Sequence, residues 1–315
     1  MTKTLAAITV VSLGVGAVVA FEDPPNKDAA LIGRWDLTVK DGDREYPSWL
    51  EVRKSGRKTL VGSYVGEFGS ARPIAKVNFK EGGFSFVVPP QWEKRKDDVT
   101  IIGRLDGESL QGMTTNDKGA KVTFEGRRAP ALTRDRPPVW GDAVELVNGR
   151  DLAGWKPRAA ETKNGWVVKD GVLINETPGN DLITEQKYND FKLHAEFRYP
   201  KESNSGIYLR GRYEVQIEDN FGEEADSLKI GGVYGFLTPS VNAGKKPGEW
   251  QSMDIELVGR VVTVVLNGER IIDRQTIPGI TGGALDSREG EPGPIMIQGD
   301  HGPVEFRKLT LTPAK

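Results

Sequence analysis

"RYEVQIED", Arg212 to Asp219, alternates polar and apolar residues as far as Glu218. A period of two is the signature of a strand. It puts Glu214, Gln216 and Glu218 on one face and Tyr213, Val215 and Ile217 on the other. The polar row reads either as an active site or as the wet face of a half-buried sheet. The runs on either side alternate too. In "FKLHAEFRYP", Phe191, Leu193, Ala195 and Phe197 oppose Lys192, His194, Glu196 and Arg198. In "IYLRG", Ile207 and Leu209 point one way and Tyr208 and Arg210 the other.

Further strands follow in "WQSMDIELVG", "VVTVVLNGERI", "GPIMIQGD" and "PVEFRKLTLTP". Asn267-Gly268 is the turn of a hairpin. Ile295 and Ile297 are expected to face the core, with Met296 and Gln298 facing outward. Strands alternating around one core predict a two-sheet jelly-roll sandwich. Upstream, short runs such as "GRWDLTV", "TLVGSYV", "FSFVV" and "KVTFEG" are separated by "DGD", "SGR" and "EGG" turns. This spacing predicts a small antiparallel barrel or sandwich. The "GRWDL" opening resembles the start of lipocalin-like barrels, with Trp35 as a core residue. The fold class is therefore all-β, a jelly-roll sandwich preceded by a barrel-like domain. The barrel spans 28–130, a proline- and charge-rich linker 131–142, and the sandwich 143–315.

Composition narrows the function classes. Lys and Arg total 43 against 45 Asp and Glu in 315 residues, so no electrostatic case exists for nucleic acid or an anionic membrane. "MTK" followed by the apolar run Leu5 to Ala20, with small Val18 and Ala20 ahead of "FEDPPNK", reads as a leader cut after Ala20. The run is shorter than the ~20 residues that a spanning helix needs. The expected location is periplasmic or extracellular. There is no cysteine, so stability rests on packing without disulfides.

"YNDFKLHAEFR", "SNSGIYLRG", "YEVQIED", "GGVYG", "PGEWQSMDIELVGRVVTVVLNG" and "GPIMIQGDHGPVEFRKLTL" stand in the order found in the 3-keto-disaccharide hydrolase family, which this chain resembles from about Val144 onward. "ELVNGRDLAGW" resembles that family's usual start. The resemblance implies a concanavalin A-like fold and a carbohydrate substrate. It also implies site residues at Glu196, Arg198, Asn204, Arg210, Glu214, Gln216, Gln298 and His301.

The implied chemistry needs a base for the acidified C2 proton, an acid for the leaving oxygen, and positive charge at the enolate. Glu214 or Glu196 is the candidate base, and His301 the candidate acid or a metal ligand. Arg198 and Arg210, or a divalent metal cation, would stabilise the enolate. Arg198, Asn204, Gln216 and Gln298 are candidate substrate-binding residues. Three other readings stand beside this one. Glu196, Arg198, Arg210 and Glu214 also suit a cross-strand salt-bridge lattice. "EVQIE" resembles a glucanase Glu-x-Asp-x-Glu, with Gln216 in the Asp position. Its two glutamates are ~13 Å apart along an ideal strand, whereas retaining chemistry wants about 5–5.5 Å. A lectin-like module would hold sugar without cleaving it.

Overall fold

The computed structural model describes residues 30–116 and 118–315, and these contain no α-helix. The expected leader, 1–20, lies outside the described residues. The first unit comprises β1 (Gly33–Asp41), β2 (Arg44–Ser55), β3 (Thr59–Val65), β4 (Arg72–Lys80), β5 (Gly83–Val88), β6 (Val99–Asp106), β7 (Ser109–Thr115) and β8 (Lys121–Arg128). Each strand pairs antiparallel with the next, and β8 pairs back onto β1, closing a barrel. Closure removes the exposed edges that an open sheet would present. The interior is packed with side chains. Trp35 is fully buried, its indole N–H donates to the Leu31 carbonyl at 3.0 Å, and the Arg128 guanidinium lies 3.8 Å from its ring centre.

The second unit begins with β9 (Val144–Glu145), β10 (Trp155–Pro157), β11 (Trp166–Lys169), β12 (Val172–Asn175) and β13 (Leu182–Thr184). It continues with β14 (Phe191–Arg198), β15 (Asn204–Leu209), β16 (Tyr213–Glu218) and β17 (Gln251–Val258). β18 (Val261–Leu266), β19 (Glu269–Thr276), β20 (Met296–Ile297) and β21 (Val304–Pro313) complete it. A five-stranded sheet runs β10-β13-β20-β15-β16. A larger sheet runs β11-β12-β21-β14-β17-β18-β19, with β9 added against β21. The two inner faces meet in one apolar core. Phe191, Leu193 and Phe197 come from the larger sheet, and Ile207, Val215 and Ile297 from the smaller. The expected hairpin forms: Asn267 and Gly268 take φ of 52° and 87° between β18 and β19.

Two features bear on the site. First, the outer face of the five-stranded sheet is covered rather than wet. Met296, expected to face outward, is fully buried, and Glu214 and Gln216 are each only 3% exposed. Second, the barrel packs tightly against the sandwich. Trp49 of β2 belongs to the sandwich core, with its ring edge-on to Phe236 at 5.3 Å. A Cβ on Gly279 would fall 2.2 Å from that indole, so only glycine fits beneath it. The segment between the units is held down as well. Arg134 pairs with Asp190 at 2.6 Å, and Gly141 N–H donates to the Pro313 carbonyl at 2.7 Å.

Candidate active site

A cleft opens on the outer side of the five-stranded sheet, with Glu214 of β16 at its floor. The cross-strand pairs Tyr208–Glu214 and Gly206–Gln216 set the register of that floor. Glycine at 206 makes room for the carboxylate: a Cβ there would stand 2.3 Å from Glu214 Oε1. Glu214 Oε2 lies 2.9 Å from the Tyr208 hydroxyl. That same hydroxyl lies 2.9 Å from the Gly282 carbonyl. A phenol has one proton for these two acceptors. If Tyr208 donates to Gly282, only a protonated Glu214 can complete the second bond; if Glu214 is ionised, Tyr208 turns toward it. Proton position on Glu214 is thus coupled to the orientation of Tyr208.

Burial pushes Glu214 up to about 8, the Tyr208 hydrogen bond and the charge of His301 working against the rise. His301 lies on the loop after β20 and lines the same cleft. Its Nδ1 sits 2.5 Å from Asp300 Oδ1, and this hydrogen bond holds the imidazole above its ordinary value. Asp181 and Arg158 line the cleft too. Arg158 Nη1 donates to Asp181 Oδ2 at 3.1 Å and to the Gly283 carbonyl at 3.0 Å. Asp181 also accepts from Gly299 N–H at 2.9 Å, yet burial raises it. Gln298 lines the cleft as well, with its Oε1 buried and without a hydrogen-bond donor.

Of the residues singled out from sequence, Glu214, His301, Asn204, Gln216 and Gln298 come together in this cleft. Glu196, Arg198 and Arg210 do not. Glu196 and Arg198 lie on β14, which belongs to the other sheet. Their polar face therefore points out of the opposite side of the sandwich. There Glu196 pairs with Arg307 at 2.5 Å, and that guanidinium holds its carboxyl below the usual range. Arg198 pairs with Glu305 at 2.7 Å and, together with Arg307, flanks the Trp250 ring. Arg210 has left-handed backbone geometry, φ 54°, in the turn after β15, so strand alternation no longer sets its direction. It is buried, donating to Tyr213 Oη and to the Gly259 carbonyl, each at 3.0 Å.

Sequence reasoning missed Arg158, Asp181 and Phe68. Arg158 follows the short β10 in a stretch without alternation, and only strand pairing carries it to the cleft. Among the described residues, no three His, Asp or Glu side chains are grouped to hold a metal. The chemistry below is written for the side chains of the cleft.

The model of the 3-keto-alpha-glucoside-1,2-lyase-like domain matches residues 142–312. A curated 3-keto-disaccharide hydrolase from Bacteroides thetaiotaomicron is 23% identical over 137 residues, 40% of this chain and 47% of that protein. The matched stretch thus spans about half the length of that relative. Two solved structures from Parabacteroides distasonis, both provisionally called glycosyl hydrolases, are also similar. One is 31% identical with a TM-score of 0.48, covering 57% of this chain and 92% of its own. The other is 21% identical with a TM-score of 0.46, covering 55% and 94%.

Proposed function

The chain belongs to the family of 3-keto-alpha-glucoside-1,2-lyase-like domains, and from that premise we propose that its cleft cleaves 3-keto-glycosides. The observation that carries the proposal is a buried glutamate, pushed up to about 8, facing a histidine–aspartate pair and an arginine in one cleft. A ketone at C3 acidifies the C2 proton, and a carboxylate of raised pKa is a stronger base for it than an ordinary one. Glu214 takes that proton, and the electron pair forms the C2=C3 enolate. Arg158 and His301 line the cleft to face the negative oxygen. The enolate expels the glycosidic oxygen from C1, and His301 supplies its proton. Water then adds at C1 of the resulting enone and a proton returns to C2, so the net reaction is hydrolysis. Gln298, which lines the cleft, offers its side-chain amide to a sugar hydroxyl.

The test is incubation of the full chain with a 3-keto-disaccharide and with its unoxidised parent. Only the ketone should be cleaved, and in deuterated water the product should carry deuterium at C2. Glu214→Gln should lower the rate by roughly 10²–10⁴-fold. Cleavage of the unoxidised sugar with the C2 hydrogen retained would instead mean direct displacement at C1. Export belongs to the same proposal. Terminal sequencing of the processed protein should begin at Phe21, and retention of Met1 in the membrane fraction would refute it.

A further inference from the structure

The family match begins at residue 142, yet the cleft is completed from outside it, by Phe68 and Gly69 of the barrel. Both lie on the β3–β4 loop. Phe68 is 43% exposed, an unusual position for a phenylalanine on a loop otherwise held in place. Its ring stands edge-on to Trp92 of the β5–β6 loop, centroids 5.3 Å apart.

The two loops are braced. Arg72 and Glu93 form a buried ion pair at 2.9 Å beneath them, and Gln91 Nε2 donates to Ser70 Oγ at 2.9 Å. The β3–β4 loop is also fixed to the sandwich. Gly283 N–H donates to the Glu67 carbonyl at 2.8 Å, and a Cβ on Gly282 would fall 2.2 Å from the Gly69 carbonyl oxygen. The strap Thr281–Gly283 therefore has two neighbours. On one side Thr281 Oγ1 accepts from Glu214 N–H at 3.0 Å and the Gly282 carbonyl lies 2.9 Å from the Tyr208 hydroxyl. On the other side stands the barrel loop. The aromatic corner is held rigidly at the mouth of the cleft whose floor is Glu214.

A glycoside bound for C2 proton removal places one sugar at Glu214 and extends its leaving group toward the mouth. The leaving group of a disaccharide is a second sugar, whose C–H face is apolar while its rim is polar. An aromatic ring is the side chain that matches such a face. We propose that Phe68, backed by Trp92, is the subsite for the leaving sugar, so that the barrel sets preference for disaccharides over simple glycosides. The proposal rests on the 3-keto-glycoside reading of the cleft.

The test is titration calorimetry of the full chain in a Glu214→Gln background, with a 3-keto-disaccharide and with the matching methyl 3-keto-glycoside. Phe68→Ala should weaken the disaccharide by about tenfold or more, the cost of exposing a contact of this size, and leave the methyl glycoside unchanged. Phe68→Tyr keeps a ring and should retain the disaccharide affinity, which guards against a misfolded alanine variant. Equal weakening of both ligands, no change in either, or no binding of the disaccharide to the Phe68-containing chain would overturn the subsite. Turnover is measured separately with Glu214 in place. Disaccharide selectivity without cleavage would refute the 3-keto chemistry and leave the subsite standing.

Discussion

Tyr208 is the residue on which the protonation of Glu214 turns. Its hydrogen bond lowers a carboxyl that burial raises. Tyr208→Phe removes the bond and should move Glu214 further up. A base acts only when deprotonated, so the rate rises as pH climbs through about 8, and in the variant that rise should move to higher pH. For each pH unit by which the rise is displaced, the rate on the acidic side falls about tenfold. An unchanged pH profile would remove Glu214 as the base. The acid behaves oppositely. Asp300 raises His301, so activity that needs protonated His301 is lost as pH rises through its value, and Asp300→Asn should bring that loss to lower pH. Gly206→Ala tests placement instead of protonation: the added methyl meets Glu214 Oε1 and should cost roughly 10²-fold in kcat through misplacement of the base. Glu196→Gln, by contrast, disturbs a surface ion pair on the far side of the sandwich. It should leave kcat/KM unchanged and stability within about 0.5 kcal/mol.

At the scale of strands, the alternation in "FKLHAEFR" and "YEVQIE" is enough to assign strands and their apolar faces, because period two is a local property of the chain. It does not say which sheet each strand joins. β14 and β16 lie close in sequence, yet they enter opposite sheets, so polar faces with the same local pattern lie on opposite surfaces of the sandwich. That is why Glu214 and Gln216 reach the cleft while Glu196 and Arg198 form a salt-bridge lattice outside it. Arg210 departs from expectation for a different reason: its turn geometry breaks the alternation that would place it beside Tyr208. The hairpin at Asn267 is legible because its turn chemistry is carried by two adjacent residues. Asn267 also ties the turn to its surroundings, donating to the Ala243 carbonyl at 2.8 Å and accepting from Ser252 N–H at 2.9 Å. Asn267→Ala strains a left-handed position and strands these partners. It should destabilise the protein by roughly 1–3 kcal/mol, read as a lower urea midpoint.

At the scale of the whole molecule, barrel and sandwich meet through buried charge as well as through Trp49. Asp36 of β1 is 8% exposed and its Oδ1 has no hydrogen-bond donor. It faces Glu289, which is fully buried and accepts from Tyr213 Oη at 2.7 Å and Arg260 Nη2 at 2.5 Å. Arg260 also donates to the Pro130 carbonyl at the end of the barrel segment, at 2.9 Å. Burial first, and the neighbouring Glu289 second, hold Asp36 protonated far above the carboxylate range, with Arg260 and Arg212 opposing. An unfolded Asp releases its proton near pH ~4. Above that pH the folded chain binds one more proton at this site than the unfolded chain does. Stability therefore falls as pH rises, until folded Asp36 also ionises. Asp36→Asn supplies a permanently neutral group that can still donate to Glu289. The difference in thermal midpoint between variant and wild type should be smallest near pH ~4–5 and grow in favour of the variant toward pH ~9. Parallel curves across that range would mean that Asp36 is ionised in the folded protein and that Arg260 or Arg212, rather than a shared proton, neutralises the interface.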